Sequence, residues 1–337
     1  MNENAVGIIA NPASGKDIRR IVTYSSPYDN QEKVNIIRRI CMALHACGIR
    51  KIYYMPEYYN IIPQAINGIF SEHAGAIGEM EFIPLDFIYL EEEEDSTKAG
   101  AMLLELGVKC IITLGGDGTN RAVAKGCGDT PIIPVSSGTN NVFPSMIEGT
   151  IAGLAAGVVA NGIADNETGV LEHRKRIELI VDGELADMAL IDMVFMEDGQ
   201  IGARAMWNAD DIRQLFVTEC APYNIGISAI AGQYETIMPA DDRGMYIEVD
   251  KDSPAVMAAI APGIICPVGI KRRNVINVGD VIVPESRPYL VAVDGERNTR
   301  IKAGQRIAVK LSSDGPVVVN IQKAMSAAAD KGFFMQK

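Results

Sequence analysis

With 337 residues, 48% of them hydrophobic and 22% charged, the chain is long enough for about two domains, and its composition excludes a disordered or collagen-like protein. A formal net charge of −12, without any dense Lys/Arg cluster to offset it, argues against nucleic acid and disfavours a membrane as partner. The start MNENAVGIIANPASGK carries no basic leader, so a soluble cytoplasmic protein acting on a small-molecule substrate is expected.

In chain order, AVGIIA, KIYYM, FIPLDFIYL, KCIITL and PIIPV read as short buried strands. Between the first two, EKVNIIRRICMALHACG puts Val34, Ile37, Cys41 and Leu44 on one helical face, and Gly48 offers a stop. The acidic run Glu91 to Asp95 is expected as a solvated loop. TIAGLAAGVVANGIA is too short and too rich in glycine to span a bilayer. Strands alternating with helices predict an α/β domain with a mostly parallel sheet over 1–164. After about Asp165 the segments become short and β-branched, with Gly, Pro or Asp turns between them, and VDGEL has the form of a hairpin. A mainly β domain is expected over 165–320, then a C-terminal helix over 321–337 that could pack back on the first domain. Neither the six cysteines nor His45, His73 and His173 show metal-site spacing. Trp207, Asp210 and Asp211 are expected to be structural or solvated.

The most informative stretch is IITLGGDGTN, Ile111 to Asn120. A strand, a glycine turn and the helix-capable NRAVAKG form the unit at whose strand end ligands bind in open α/β sheets. Gly115, Gly116 and Gly118 let backbone approach a phosphate, and the N–H groups of a helix start attract it. Asp117 is out of place beside phosphate unless it holds Mg²⁺ or accepts a proton from an attacking hydroxyl, and both point to phosphoryl transfer. The plainer alternative is a tight Asp-Gly turn. ANPASGKD does not meet the Walker pattern, since Ala10 stands at its first glycine and Asp17 follows Lys16; GDGTNR has Arg121 where the dinucleotide fingerprint has its third glycine.

Two further turns follow strands in the same manner. Asn11, Ser14, Gly15 and Lys16 supply an amide, a hydroxyl, a flexible residue and a cation. Ser137, Gly138, Thr139, Asn140 and Asn141 form a small polar turn suited to phosphate or ribose oxygens. If their strands are parallel neighbours, the three turns line one crevice.

GGDGT, with NPASGK upstream and PVSSGTNN downstream, resembles the NAD kinase and diacylglycerol kinase superfamily, and is most similar to its branch of ATP-NAD kinase-like proteins related to acetoin-catabolism protein X. The resemblance implies an α/β domain followed by a β-sandwich, a site between them, and ATP with Mg²⁺ as donor. It also implies that Asp117 is the essential acid and that Thr119 contacts phosphate. AVDGE maps Asp294 and Glu296 onto an acidic pair tied to metal or base function, the alternative being a hairpin turn. In MALIDMVF, Ile191 and Asp192 stand where NAD kinases carry an Asn and an acid; in GISAIAG, Ser228 is the main polar group left of a substrate turn. Ile191 lacks the hydrogen bonds of an amide. A kinase for a soluble hydroxyl compound, with NAD as default, is the leading expectation. A lipid kinase and an inactive nucleotide-binding regulator are the alternatives, and a homo-oligomer is expected by analogy.

Overall fold

The computed structural model describes residues 4–14, 29–138, 140–164, 169–197, 211–285 and 287–335, without the side chains of 72–77, 297 and 298. Gly15, Lys16, Thr139, Trp207 and Asp210 lie outside the described residues.

The first half alternates strands and helices: β1 (Ala5–Ala10), α1 (Asn30–Ala46), β2 (Lys51–Tyr54), α2 (Ile61–Ile77), β3 (Glu81–Pro84), α3 (Glu93–Glu105), β4 (Cys110–Gly115), α4 (Asp117–Ala124), β5 (Ile132–Ser136) and α5 (Gly149–Ala160). Near the far end of the chain, β6 (Leu171–His173), β18 (Val317–Val319) and α7 (Ile321–Asp330) return to this layer. The sheet order is β3-β2-β1-β4-β5-β18-β6, parallel except where β6 meets β18. Strands β1, β4 and β5 are buried along their whole length, as the middle of a sheet covered on both faces must be. The period of two divides β1. Val6, Ile8 and Ala10 pack with apolar residues of α1, α5 and α7, while Ala5 and Ile9 pack with Ala99 and Leu103 of α3 and Val123 of α4.

Close packing of α5 on α1 explains the small residues of the TIAGLAAGVVANGIA stretch. A Cβ on Gly153 would lie 2.6 Å from the carbonyl oxygen of Ile40, and one on Gly157 would lie 2.4 Å from Cβ of Cys47. Only glycine allows that approach. No helix among the described residues is long and apolar enough to cross a membrane.

The rest of the chain is antiparallel. Strands β9 (Asp192–Glu197), β10 (Ile212–Val217), β11 (Arg243–Val249), β12 (Ala255–Ala261), β13 (Ile264–Asn277), β15 (Tyr289–Val293) and β16 (Glu296–Ile301) make one sheet, in the order β12-β13-β11-β10-β9-β15-β16. A smaller sheet holds β7 (Arg176–Val181), β8 (Glu184–Ala189), β14 (Val281–Ile282) and β17 (Ile307–Ser312). Leu179, Val309 and Leu311 of the smaller sheet meet Phe195, Phe216 and Tyr289 of the larger one in a shared core. There Phe195 and Tyr289 stand edge to face with ring centres 5.2 Å apart. This is an α/β domain followed by an antiparallel β-sandwich, the NAD kinase-like two-domain architecture. The short helix α6 (Ser228–Gly232) packs on the outer face of the larger sheet.

Two expectations are corrected. FIPLDFIYL is strand only to Pro84; beyond it the chain turns, with the Phe87 N–H donating to the Leu85 carbonyl at 3.2 Å. The acidic run is not a loop throughout. Glu92 and Asp95 form a capping box at the start of α3, where carboxylates favour the positive end of the helix dipole.

Candidate active site

The order β3-β2-β1-β4-β5 reverses direction between β1 and β4. A crevice opens outside the carboxyl ends of the strands at such a switch point. The turns after β1, β4 and β5 all leave the sheet here, and side chains join them. Asn11 Nδ2 donates to Thr119 Oγ1 at 2.9 Å, which ties the first turn to the second. Ser14 Oγ and Ser137 Oγ share a hydrogen bond of 2.7 Å, which ties the first to the third.

Asp117 closes the triangle. It opens α4, and its Oδ1 accepts from the backbone N–H groups of Val142 at 3.1 Å and Phe143 at 2.9 Å, just beyond the third turn. Its carboxylate is therefore half-buried and fixed in direction. The N-cap of α4, Gly116, supplies no side-chain acceptor. The start of such a helix, with its positive dipole end, attracts an anion.

The glycines are dictated by contact. A Cβ on Gly115 would lie 2.5 Å from Cβ of Thr119, one on Gly116 would lie 2.8 Å from Oδ1 of Asn141, and one on Gly118 would lie 2.8 Å from Oε1 of Glu296. Asn141 and Gly138 are held in their turn by Ser136, whose Oγ accepts from Asn141 Nδ2 at 2.8 Å and donates to the Gly138 carbonyl at 2.8 Å. Asn140 Oδ1 is buried with no hydrogen-bond donor among the described residues, about 4.0 Å from where a Cβ of Gly226 would stand. The third turn therefore faces the NIGISAIAG segment of the second domain.

Asp294 and Glu296 part company. Asp294-Gly295 is the turn of the β15–β16 hairpin, with φ +48° and +79° as a two-residue turn requires. The Asp294 carboxylate points inward and accepts from the N–H groups of Leu190 at 3.0 Å, Ile191 at 2.8 Å and Asp192 at 3.2 Å. Burial pushes its carboxyl up, against the pull of Arg121 and those N–H groups. Asp294 is thus the buried turn residue of the hairpin, and Glu296 is the member of the acidic pair that reaches the glycine turn. Glu296 remains half exposed above Gly118, 3.2 Å from Nη2 of Arg121.

Arg121 was noted in the sequence only as the residue that breaks a glycine pattern, yet it links the parts of the site. It is wholly buried and donates to the Val293 carbonyl at 2.7 Å and to Glu93 at 2.8 Å. Burial alone would lower its affinity for a proton, but Asp294, Glu93 and Glu296 more than offset this and hold it charged. Lys33, another residue the sequence did not single out, is also fully buried beneath the first turn.

The two residues expected to bind substrate are less accessible. Asp192 begins β9, is buried, and exchanges backbone contacts with Asp294. Ser228 is completely buried at the start of α6, with Asn224 Nδ2 at 3.5 Å from its hydroxyl.

Comparison with known proteins matches both halves. Residues 6–163 fit the family model described as ATP-NAD kinase N-terminal domain, and residues 175–314 that described as acetoin catabolism protein X C-terminal domain. The acetoin catabolism protein X of Cupriavidus necator is 34% identical over 313 residues, which cover 91% of this chain and 87% of that protein. The chain belongs to the acetoin catabolism protein X family. Its membership joins an NAD kinase-type first domain to a second domain of the family's own kind. In this member the Ile191 side chain is buried beside Leu190 and Phe143, in the apolar cluster under the first sheet. Ile191 thus offers an aliphatic group without hydrogen-bonding capacity.

Proposed function

We propose that this member of the acetoin catabolism protein X family is an ATP- and Mg²⁺-dependent phosphotransferase acting on a hydroxyl of a small soluble metabolite. The observation that carries the reading is the junction of three strand-end turns around the start of α4, with Asp117 fixed at its edge. Thr119 Oγ1 receives its hydrogen bond from Asn11, so its own proton is free to be donated to a phosphate oxygen. The backbone of Gly116 and Gly118 can approach the phosphates as side-chain-bearing residues could not. Ser137, Asn140 and Asn141 line the opposite wall.

Two carboxylates, those of Asp117 and Glu296, border the glycine turn. That donor set fits Mg²⁺ carried by the nucleotide, which needs only one or two carboxylates and takes the rest of its ligands from phosphates and water. Asp117 and Glu296 are the carboxylates fitted to complete it; bound there, the ion would neutralise charge on the transferred group. In the transfer itself, Asp117 orients the acceptor hydroxyl or takes up its proton, and the helix start stabilises the phosphates.

NAD remains the default acceptor. Ile191 argues against dinucleotide recognition of the NAD kinase kind, which favours a smaller acceptor as the second reading. The name of the Cupriavidus necator relative puts a small hydroxyketone among the compounds to try. A cytoplasmic homo-oligomer is part of the proposal, supported by Met257 and Ile265, both more than half exposed on β12 and β13.

The test is a screen of Mg²⁺-dependent ATP consumption with NAD, NADH, acetoin and related small alcohols, sugars, nucleosides and diacylglycerol, with the product identified by phosphorus NMR. Phosphorylation of a soluble acceptor is the expected result. Consumption only with diacylglycerol would favour a lipid kinase, and tight ATP binding without any product would favour a regulator.

A further inference from the structure

A lysine is almost never fully buried unless it is paired. Lys33 on α1 is wholly buried, and its partners include oxygens of the turn after β1. Its Nζ donates to the carbonyls of Asn11 at 2.9 Å, Pro12 at 3.2 Å and Ser14 at 2.7 Å, and lies 3.2 Å from Ser14 Oγ. Ser14 Oγ is also 2.7 Å from the Asn11 carbonyl, to which it donates its only proton. Ser137 is then the donor in the 2.7 Å pair it forms with Ser14. One ammonium group therefore holds the turn after β1 directly and the turn after β5 through Ser14.

We propose that Lys33 is a positioning residue for polyphosphate binding, keeping the carbonyl oxygens of Asn11, Pro12 and Ser14 turned away from the crevice. The inference rests on the phosphotransferase reading of the same site. Without the ammonium, buried carbonyl oxygens converge on a point that has no donor, which is costly in a dry setting. The turn must then rotate, and carbonyls swung toward the crevice would face phosphate oxygens of the same sign.

The test compares full-length wild type with Lys33→Met, titrating tripolyphosphate and ATP separately, each with Mg²⁺, by calorimetry at a temperature where circular dichroism shows both proteins folded. The expected result is a loss of affinity of roughly 10- to 100-fold for both ligands, the range set by losing charge-assisted hydrogen bonds. Where turnover is measurable, KM for ATP should rise by a similar factor while kcat changes by less than about threefold. Affinity within twofold of wild type, together with a lower melting temperature, would reduce Lys33 to a structural role and overturn the proposal alone. Failure of wild type to bind either ligand would overturn it together with the phosphotransferase reading. Should Lys33→Met not fold, Lys33→Arg takes its place. A guanidinium keeps the charge but cannot reproduce the tetrahedral donation, so it should bind tripolyphosphate measurably more weakly, and wild-type affinity would overturn the proposal.

Discussion

Arg121 on the glycine-turn helix and Glu296 on the hairpin of the second domain approach to 3.2 Å, and the same guanidinium holds the Val293 carbonyl at 2.7 Å. The helix that starts at Asp117 and the turn that carries Asp294 are thus one unit, although they are far apart in the chain. Removing the Asp294 carboxylate leaves the buried N–H groups of residues 190–192 without their acceptor and takes away one of the charges that keep Arg121 ionised. Asp294→Ala should therefore cost about 3–5 kcal/mol in urea unfolding, since each buried donor left unsatisfied costs about 1–3 kcal/mol. Asp294→Asn should cost clearly less, since an amide still offers an acceptor and Asn tolerates the φ of +48°. Equal losses for the two variants would contradict this account.

Two glycines should respond differently to one added methyl group. Gly153→Ala presses on the Ile40 backbone oxygen at 2.6 Å, which cannot move without shifting α1, and should cost about 1–3 kcal/mol. Gly118→Ala meets Oε1 of Glu296 at 2.8 Å, the end of a half-exposed side chain that can swing aside, so its stability should change by less than about 1 kcal/mol. Its phosphotransferase activity should nevertheless fall, because Glu296 is displaced and the backbone approach is blocked. Thermal melting and turnover on the same preparations check both statements.

Stability should rise with pH over a window set by Lys175. Burial holds its ammonium down to about 8 from an ordinary 10.5, with Glu219 and Asp241 opposing and Arg174 reinforcing. Between those values the unfolded chain binds a proton that the folded chain does not, so unfolding becomes less favourable as pH rises, by up to about 1.4 kcal/mol per pH unit. Buried thiols such as Cys220, raised to about 11, act in the opposite sense only once the unfolded thiol ionises near 9. Buried thiols shift both proteins alike, so the change in urea midpoint from pH 7.5 to 9 should be more positive in wild type than in Lys175→Met. The same slope in both proteins would show that Lys175 does not control it.

The glycine turn, the strand ends and the Asp182-Gly183 hairpin were legible in the sequence because their signals are local: dipeptides and runs whose geometry their own residues set. Asp294 was half legible. Its turn could be read from Asp-Gly, but the direction of its carboxylate depends on N–H groups at 190–192, supplied by another strand. Lys33 and Arg121 were passed over for the same reason, since a charged residue beside an apolar helical face looks solvated until distant carbonyls are brought to it. Nothing within Val317–Val319 tells which sheet it joins; its pairing with β5 and β6 is a matter of topology. The acidic run at 91–95 was misread because its role as a helix start depends partly on Arg121 and Lys125, which pair with Glu93.

The most direct test of the central claim is Asp117→Asn. The amide oxygen can still accept from Val142 and Phe143, so the turn should hold its shape while the negative charge is lost. Measured with MgATP and whichever acceptor the screen identifies, the variant should bind ATP within about threefold of wild type and lose at least about 100-fold in kcat, within the range of acid–base contributions. Undiminished turnover at equal ATP affinity would contradict the assignment of Asp117 as the acid that converts nucleotide binding into transfer.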